Sequence, residues 1–209
     1  PVVWDKNVFV MSADAEGTVI VQCLDLDSGE VRWSRTFPAQ KWPVHQQNSL
    51  ASSTPAVDAD RVYIAFADPQ QTVLLALDHD GDEVWRRDFG PWVGIHGFGI
   101  SPLVYRDRVL FYNSQQSERL KPDQSPGKSE VIAVNAADGN DVWRTPLKTT
   151  RVCYSLPCVY TDFEGHDQLI NINTGDGFYS LDPDNGEMIW SANVFDQRTI
   201  ASAQVVGDI

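Results

Sequence analysis

Four copies of one phrase constrain this chain more than any other feature. Leu24-Asp25-Leu26-Asp27-Ser28-Gly29-Glu30-Val31-Arg32-Trp33 is followed by Leu77-Asp78-His79-Asp80-Gly81-Asp82-Glu83-Val84-Trp85. The third copy is Val134-Asn135-Ala136-Ala137-Asp138-Gly139-Asn140-Asp141-Val142-Trp143, and the fourth is Leu181-Asp182-Pro183-Asp184-Asn185-Gly186-Glu187-Met188-Ile189-Trp190. The tryptophans lie 52, 58 and 47 residues apart, and periods of this size mark repeat architectures. A second phrase precedes each copy: Pro and two apolar residues, a polar turn, then an alternating apolar run. Its instances begin at Pro1, Pro55, Pro102 and Pro157.

Each unit therefore reads as four short strands. These are a Pro-led strand A, the alternating run B, a strand C ending in Leu-Asp or its equivalent, and the Trp strand D. The C-to-D links are Asp/Asn/Gly clusters, which tolerate positive φ and suit tight hairpins. Nothing reads as a long helix. Repeated four-stranded antiparallel sheets predict an all-β chain, a β-propeller whose blades radiate from an axis. The units are placed at residues 1–50, 51–98, 99–153 and 154–198, with 199–209 starting a further blade on its strand A. A closed ring does not stop inside a repeat, so the chain is read as part of a larger ring. Trp33, Trp85, Trp143 and Trp190 are expected on the outer strands, each largely buried against a neighbouring sheet.

Composition narrows function. With 42% apolar and 22% charged residues, the chain can bury a core. Its formal charge of 16 − 29 = −13 opposes phosphate backbones and anionic lipid, so no nucleic-acid partner is expected. Apolar runs such as residues 73–77 are too short to span a bilayer, and no signal peptide is read within these residues. Three scattered cysteines, Cys23, Cys153 and Cys158, fit neither a disulfide scaffold nor a CxxC zinc site. Cys153 and Cys158 are an odd number of residues apart, which on an extended strand places them on opposite faces.

The pattern Leu-Asp-x-x-x-Gly-Glu-x-x-Trp, as in residues 24–33 and 181–190, resembles the tryptophan-docking repeat of the PQQ-like β-propellers. That superfamily holds quinoprotein dehydrogenases and non-catalytic scaffolds of the BamB type. The segments 48–57 and 96–102 further resemble exported PQQ-like repeat proteins of planctomycete-type bacteria. The resemblance implies a periplasmic or extracellular location. It also implies, for the enzymes, a PQQ cofactor with calcium above a pair of adjacent cysteines. No two cysteines here are adjacent, and the calcium-ligand set does not map by motif, so no cofactor is expected.

The acidic turns at 78–82 and 182–186 resemble the opening of calcium loops, yet an apolar residue and Trp follow where a bidentate Glu is required. They are read as hairpin formers on a negative rim, with no metal expected. GxSxG, HExxH, Walker and GxGxxG patterns are absent, and no catalytic residue is assigned.

Equivalent positions before strand A give the one candidate site. Counting back six residues from Pro55, Pro102, Pro157 and Gln204 reaches Ser49, His96, Arg151 and Arg198, while counting back seven adds Asn48 and Gln197. These positions precede the inner strands, at one mouth of the central channel and opposite the acidic turns. His45 and the long B-to-C connection at 114–129, with Arg119, Lys121 and Lys128, are placed on the same face. The expectation is a binding or scaffold propeller taking a protein partner or a small anionic or polyhydroxylated ligand. The alternatives are a quinoprotein-type oxidoreductase, a carbohydrate-active propeller, and the extracellular sensor module of a larger receptor.

Overall fold

The structure, a computed structural model, describes residues 1–207 apart from Val44 and Gln47. It contains four antiparallel four-stranded sheets and, among the described residues, no helix. The first holds β1 (Val2–Trp4), β2 (Asn7–Ala13), β3 (Val19–Asp25) and β4 (Val31–Phe37) in that order. The second holds β5 (Ala56–Val57), β6 (Arg61–Ala67), β7 (Thr72–Asp78) and β8 (Glu83–Asp88). The third is β9 (Leu103–Tyr105), β10 (Arg108–Asn113), β11 (Glu130–Asn135) and β12 (Asp141–Pro146). The fourth is β13 (Cys158–Thr161), β14 (Asp167–Asn173), β15 (Gly177–Leu181) and β16 (Met188–Ala192). Strand order within each sheet follows the chain, the up-and-down blade of a β-propeller, and the four blades form part of a ring.

Period-two alternation fixes which side chains meet which neighbour. On β6, Val62, Ile64 and Phe66 pack toward the first sheet with Phe9, Val21 and Cys23. Tyr63, Ala65 and Ala67 face the other way, into a core shared with Val109, Phe111 and Ile132. A strand buried on both faces needs apolar residues in succession, which explains the continuous run in β7. The short first strands β1, β5 and β9 touch one another in sequence, so they surround the axis.

The four C-to-D hairpins share one irregularity. Pairing slips just before Leu24, Leu77, Val134 and Leu181, the residue that opens each repeated phrase. The leading Asp or Asn then caps its own turn. Asp25 Oδ1 accepts from Asp27 N and Ser28 N, Asp78 Oδ1 from Asp80 N and Asp82 N, and Asp182 Oδ1 from Asp184 N. Their glycines, Gly29, Gly81, Gly139 and Gly186, all have positive φ. Gly81 bonds back to the carbonyl of Asp78 three residues earlier, where the other turns span four, which accounts for the shorter Asp-to-Trp offset in that unit.

Trp33, Trp85 and Trp143 each donate Nε1 to the carbonyl that follows the capping residue in the next sheet: His79 (2.8 Å), Ala136 (2.9 Å) and Pro183 (3.1 Å). Trp85 and Trp143 are 8% exposed. Trp190 differs from the expectation of burial against a neighbour: it is 38% exposed and donates to Gln168 Oε1 of its own sheet at 3.0 Å. The reason is local, since no sheet follows β16 among the described residues. Residues 199–207, read from sequence as the start of another strand A, form no strand; strand A pairs only with its strand B, which is not among them. Asp208 and Ile209 lie outside the described residues.

Candidate functional site

The connections leading into strands A and those linking strands B to C come together on one face of the blades, where three adjoining cavities open. The first, about 460 Å³, is lined by His45, Asn48, Ser52, His96, Tyr154 and Arg198 among others. The second, about 250 Å³, shares His96 and Arg198 with the first and adds Ile95, Gln116, Arg119 and Arg151. The third, about 390 Å³, shares Ile95 and Arg119 with the second and continues outward to Trp42 and Trp92. Shared walls make them one trough running from the axis toward the rim. Among the described residues no Asp or Glu lines any of the three, although Glu118 pairs with Arg119 and Arg151 of the lining and the chain carries 29 acids against 16 basic side chains.

The long connection between β10 and β11 builds the middle of this trough. It is pinned on both sides by backbone bonds, Gln116 N to Val93 O (2.8 Å) and Ser117 N to Thr150 O (2.9 Å). Ser129 Oγ closes its base by accepting from Gln115 N and donating to Gln115 O. Arg119 adopts φ 52°, a left-handed turn that carries its side chain to the junction of the second and third cavities.

The residues expected at the mouth divide into three groups. His96 and Arg198 are brought together, and the His45 ring meets His96 edge-on at 5.3 Å. Burial, followed by the positive charge of Arg198 and then His45, lowers the pKa of His96 below its ordinary 6.5. Asn48 ties the loops together, donating Nδ2 to His96 O at 2.8 Å. Arg151 lines the second cavity but is already matched: its Nε bonds Glu118 Oε1, and Thr150 Oγ1 donates to Glu118 Oε2 at 3.0 Å. Glu118 is held below the usual carboxylate range chiefly by that Arg151 bond.

Ser49 and Gln197 do not line the trough. Ser49 caps its own turn, its Oγ accepting from Ala51 N, and Gln197 contributes a backbone carbonyl to Thr174 Oγ1. Lys128 lies apart, in a cavity with Phe89 and Pro91. One positional equivalence also moves. Leu156 N donates to Ser202 Oγ as Thr54 N donates to Ser101 Oγ, so Ser202 takes the place of Ser101. Gln197, six residues before Ala203, therefore stands in register with His96, and Arg198 reaches the trough from one position nearer the strand.

Arg198 makes no ion pair with a carboxylate among the described residues. Its Nη2 donates to the neutral Gln116 Oε1 at 3.5 Å, and its buried Nε has no partner among the described residues. Tyr154 stands beside it and donates to Gly97 O at 3.0 Å. Sequence reasoning missed Tyr154, Glu118 and the Trp42–Trp92 end of the trough.

The opposite face is acidic. A cavity of about 430 Å³ there is lined by Asp162, Asp167, Asp182 and Asp184 with Arg106 and His166. Asp167 accepts from Thr161 Oγ1 (2.6 Å), Tyr105 OH (2.7 Å) and Arg106 Nη2 (2.8 Å), which ties the third blade to the fourth. Among the described residues no group of three or more His, Cys, Asp or Glu side chains is placed to hold a metal. No helix of the described residues is long and apolar enough to cross a membrane.

Successive four-stranded antiparallel sheets, each docked on the next through its outer-strand tryptophan, define a β-propeller. Residues 15–209 match the family model described as outer membrane protein assembly factor BamB, and the chain belongs to this BamB-type family of PQQ-like repeats. Among solved structures it is similar to BamB from Moraxella catarrhalis, with 20% identity and a TM-score of 0.56 over 92% of this chain and 50% of that one. It is also similar to the quinohemoprotein alcohol dehydrogenase ADHIIG of Pseudomonas putida HK5, with 16% identity and a TM-score of 0.63 over 92% of this chain and 34% of that one. A Pseudomonas polyvinylalcohol dehydrogenase is 22% identical over 93% of this chain and 33% of its own length. The chain thus spans a third to a half of these relatives.

Proposed function

We propose that this chain forms part of a non-catalytic binding propeller, exported to the periplasm or beyond, whose trough captures an anionic ligand around Arg198. The observation that carries the reading is the lining itself: Arg119, Lys121, Arg151 and Arg198 face the trough in a chain of net charge −13. Glu118, shared by Arg119 and Arg151, is the one carboxylate paired to them among the described residues, and it leaves Arg198 without one. A guanidinium facing a cavity without an acid favours an anion, and Arg binds carboxylates through paired N–H donors. The acidic remainder of the surface disfavours anions elsewhere and so directs them here. A protein partner presenting an acidic side chain would satisfy the same chemistry.

The rival reading is a quinoprotein-type oxidoreductase, favoured by the likeness to alcohol dehydrogenases. The residues of the trough do not fit that cofactor set. A calcium ion takes carboxylate and carbonyl oxygens, and this lining supplies cations where the carboxylates would be needed. Cys153 and Cys158 are separated along the chain and do not form an adjacent pair.

The test uses the full-length protein. As purified it should lack quinone absorbance, and added PQQ with calcium should support no dye-linked alcohol oxidation. In a thermal-shift series at matched ionic strength, citrate should raise the melting temperature of the wild type more than that of an Arg151→Ala, Arg198→Ala double variant. A stoichiometric quinone, or equal shifts in both proteins, would overturn the reading.

A further inference from the structure

The outer third of the trough differs in character from the mouth. Trp42, Pro43, Pro69 and Ile95 give it apolar walls, and Trp92 stands behind Trp42 with ring centroids 5.4 Å apart and planes at 59°. Trp92 is itself anchored, donating Nε1 to Ser114 O at 3.1 Å. Gly94 lies against its ring so closely that any Cβ would enter it, so the wall is preorganised by packing. Above these walls stand Arg119, Lys121 and Gln124, all hydrogen-bond donors.

We propose that the trough binds an acidic oligosaccharide, with one uronate carboxylate at Arg198 and the C–H face of a neighbouring pyranose against Trp42. The proposal rests on the anion-binding reading above and adds to it the class of ligand. An aromatic wall with a donor-rich rim matches a pyranose, which is apolar on its ring face and carries hydroxyl acceptors around its edge. A neutral apolar ligand would give Lys121 and Gln124 no acceptor, and Arg119 none beyond its ion pair with Glu118 at 3.9 Å. An extended peptide adding itself as a strand needs an open sheet edge, and this trough is built from connecting loops. The shared walls at Ile95 and Arg119 let one ligand engage both ends.

Calorimetric titration of the whole chain with trigalacturonate, maltotriose and citrate tests this. Trigalacturonate should bind the wild type about five- to tenfold more tightly than citrate, the gain from stacking one ring, and maltotriose more weakly than either. Trp42→Ala should bring trigalacturonate down to the level of citrate while leaving citrate unchanged. Lys121→Ala, at an exposed position that lines only the outer cavity, should do the same in part without disturbing the fold. Arg198→Ala should weaken both acids.

Equal affinity of the wild type for trigalacturonate and citrate would overturn the saccharide assignment and leave the anion site standing. Maltotriose binding as tightly as trigalacturonate would overturn the assignment of an acidic sugar. Binding of neither acid would overturn both readings.

Discussion

The indole of Trp85 rests on Gly139 of the following blade: a Cβ built on that glycine would lie 2.7 Å from the ring, while Trp85 Nε1 reaches Ala136 O at 2.9 Å in the same turn. Trp33 on Gly81 and Trp143 on Gly186 repeat the contact at 2.8 and 2.5 Å. Gly29 has the same φ as Gly139, +73°, but nothing lies within 4 Å of its Cβ position. The repeated glycine thus serves two purposes, a left-handed turn and a seat for an indole, and the two can be separated.

Gly29→Ala should cost only the left-handed backbone strain, about 1–2 kcal/mol. Gly139→Ala should cost that and a further ~1–3 kcal/mol for overpacking against Trp85. Urea unfolding of the two variants measures the difference. Equal losses would mean that the indole contact is readily relieved.

The tryptophans themselves should fall into two classes. Trp85→Ala and Trp143→Ala remove indoles that are 8% exposed and should each cost about 3–5 kcal/mol. Trp190→Ala, at 38% exposure and with a partner only in its own sheet, should cost less than half of that range. The same unfolding experiment checks it, and a Trp190 loss equal to the others would show that exposure is not what sets the cost.

Asp167 links blades three and four, and the hydroxyls of Thr161 and Tyr105, with Arg106, hold its pKa below the ordinary 3.8. A lowered carboxylate stabilises the fold above its unfolded value, and that contribution is lost as the pH falls through the folded value. Asp167→Asn should therefore lower stability at pH 7 by up to about 1 kcal/mol, since Arg106 is largely solvent-screened. The difference should shrink as the pH falls below 3.8. Parallel unfolding curves at pH 7 and pH 3 measure it.

The strands were legible in the sequence because each is a short apolar or alternating run that ends in turn-forming residues, and because the Asp-to-Trp spacing, Asn-to-Trp in the third unit, supplied four readings of one hairpin. The mouth was legible only in part. His96 and Arg151 follow from their offsets to strand A, whereas Arg198 reaches the trough from one position out of that register. The Ser49 hydroxyl serves its own turn, as short polar residues in loops commonly do, and Gln197 contributes its backbone carbonyl. Glu118 was hidden because it pairs with Arg151 across 33 residues of sequence, from one connecting loop to another with β11 and β12 between them and no period to follow. A signal for the outer cavity did exist. Of seven tryptophans only four belong to the repeat, and two of the remaining three, Trp42 and Trp92, meet there.

Glu118 sets how much positive charge the trough offers. Replacing it in Glu118→Gln removes the carboxylate from Arg151 while keeping the shape, and citrate should then bind about two- to fivefold more tightly, the scale of a part-exposed ion pair. Calorimetry at fixed ionic strength measures it. Weaker binding would mean that Glu118 serves chiefly to position Arg151.

His96 reports the field at the centre of the site, since it stands between Arg198 and His45 and shares cavities with Arg119, Arg151 and Tyr154. Its lowered pKa means that the folded chain binds fewer protons than the unfolded chain as the pH falls through 6.5, so stability is lost in that direction. The most direct test is an NMR titration of the His96 ring with and without citrate, against chloride at equal ionic strength. An anion seated at Arg198 should raise the His96 pKa toward its ordinary value in the wild type. In Arg198→Ala the pKa should start higher and respond little to citrate. A His96 pKa that is indifferent to citrate in the wild type, or that moves equally in both proteins, would contradict an anion site at Arg198.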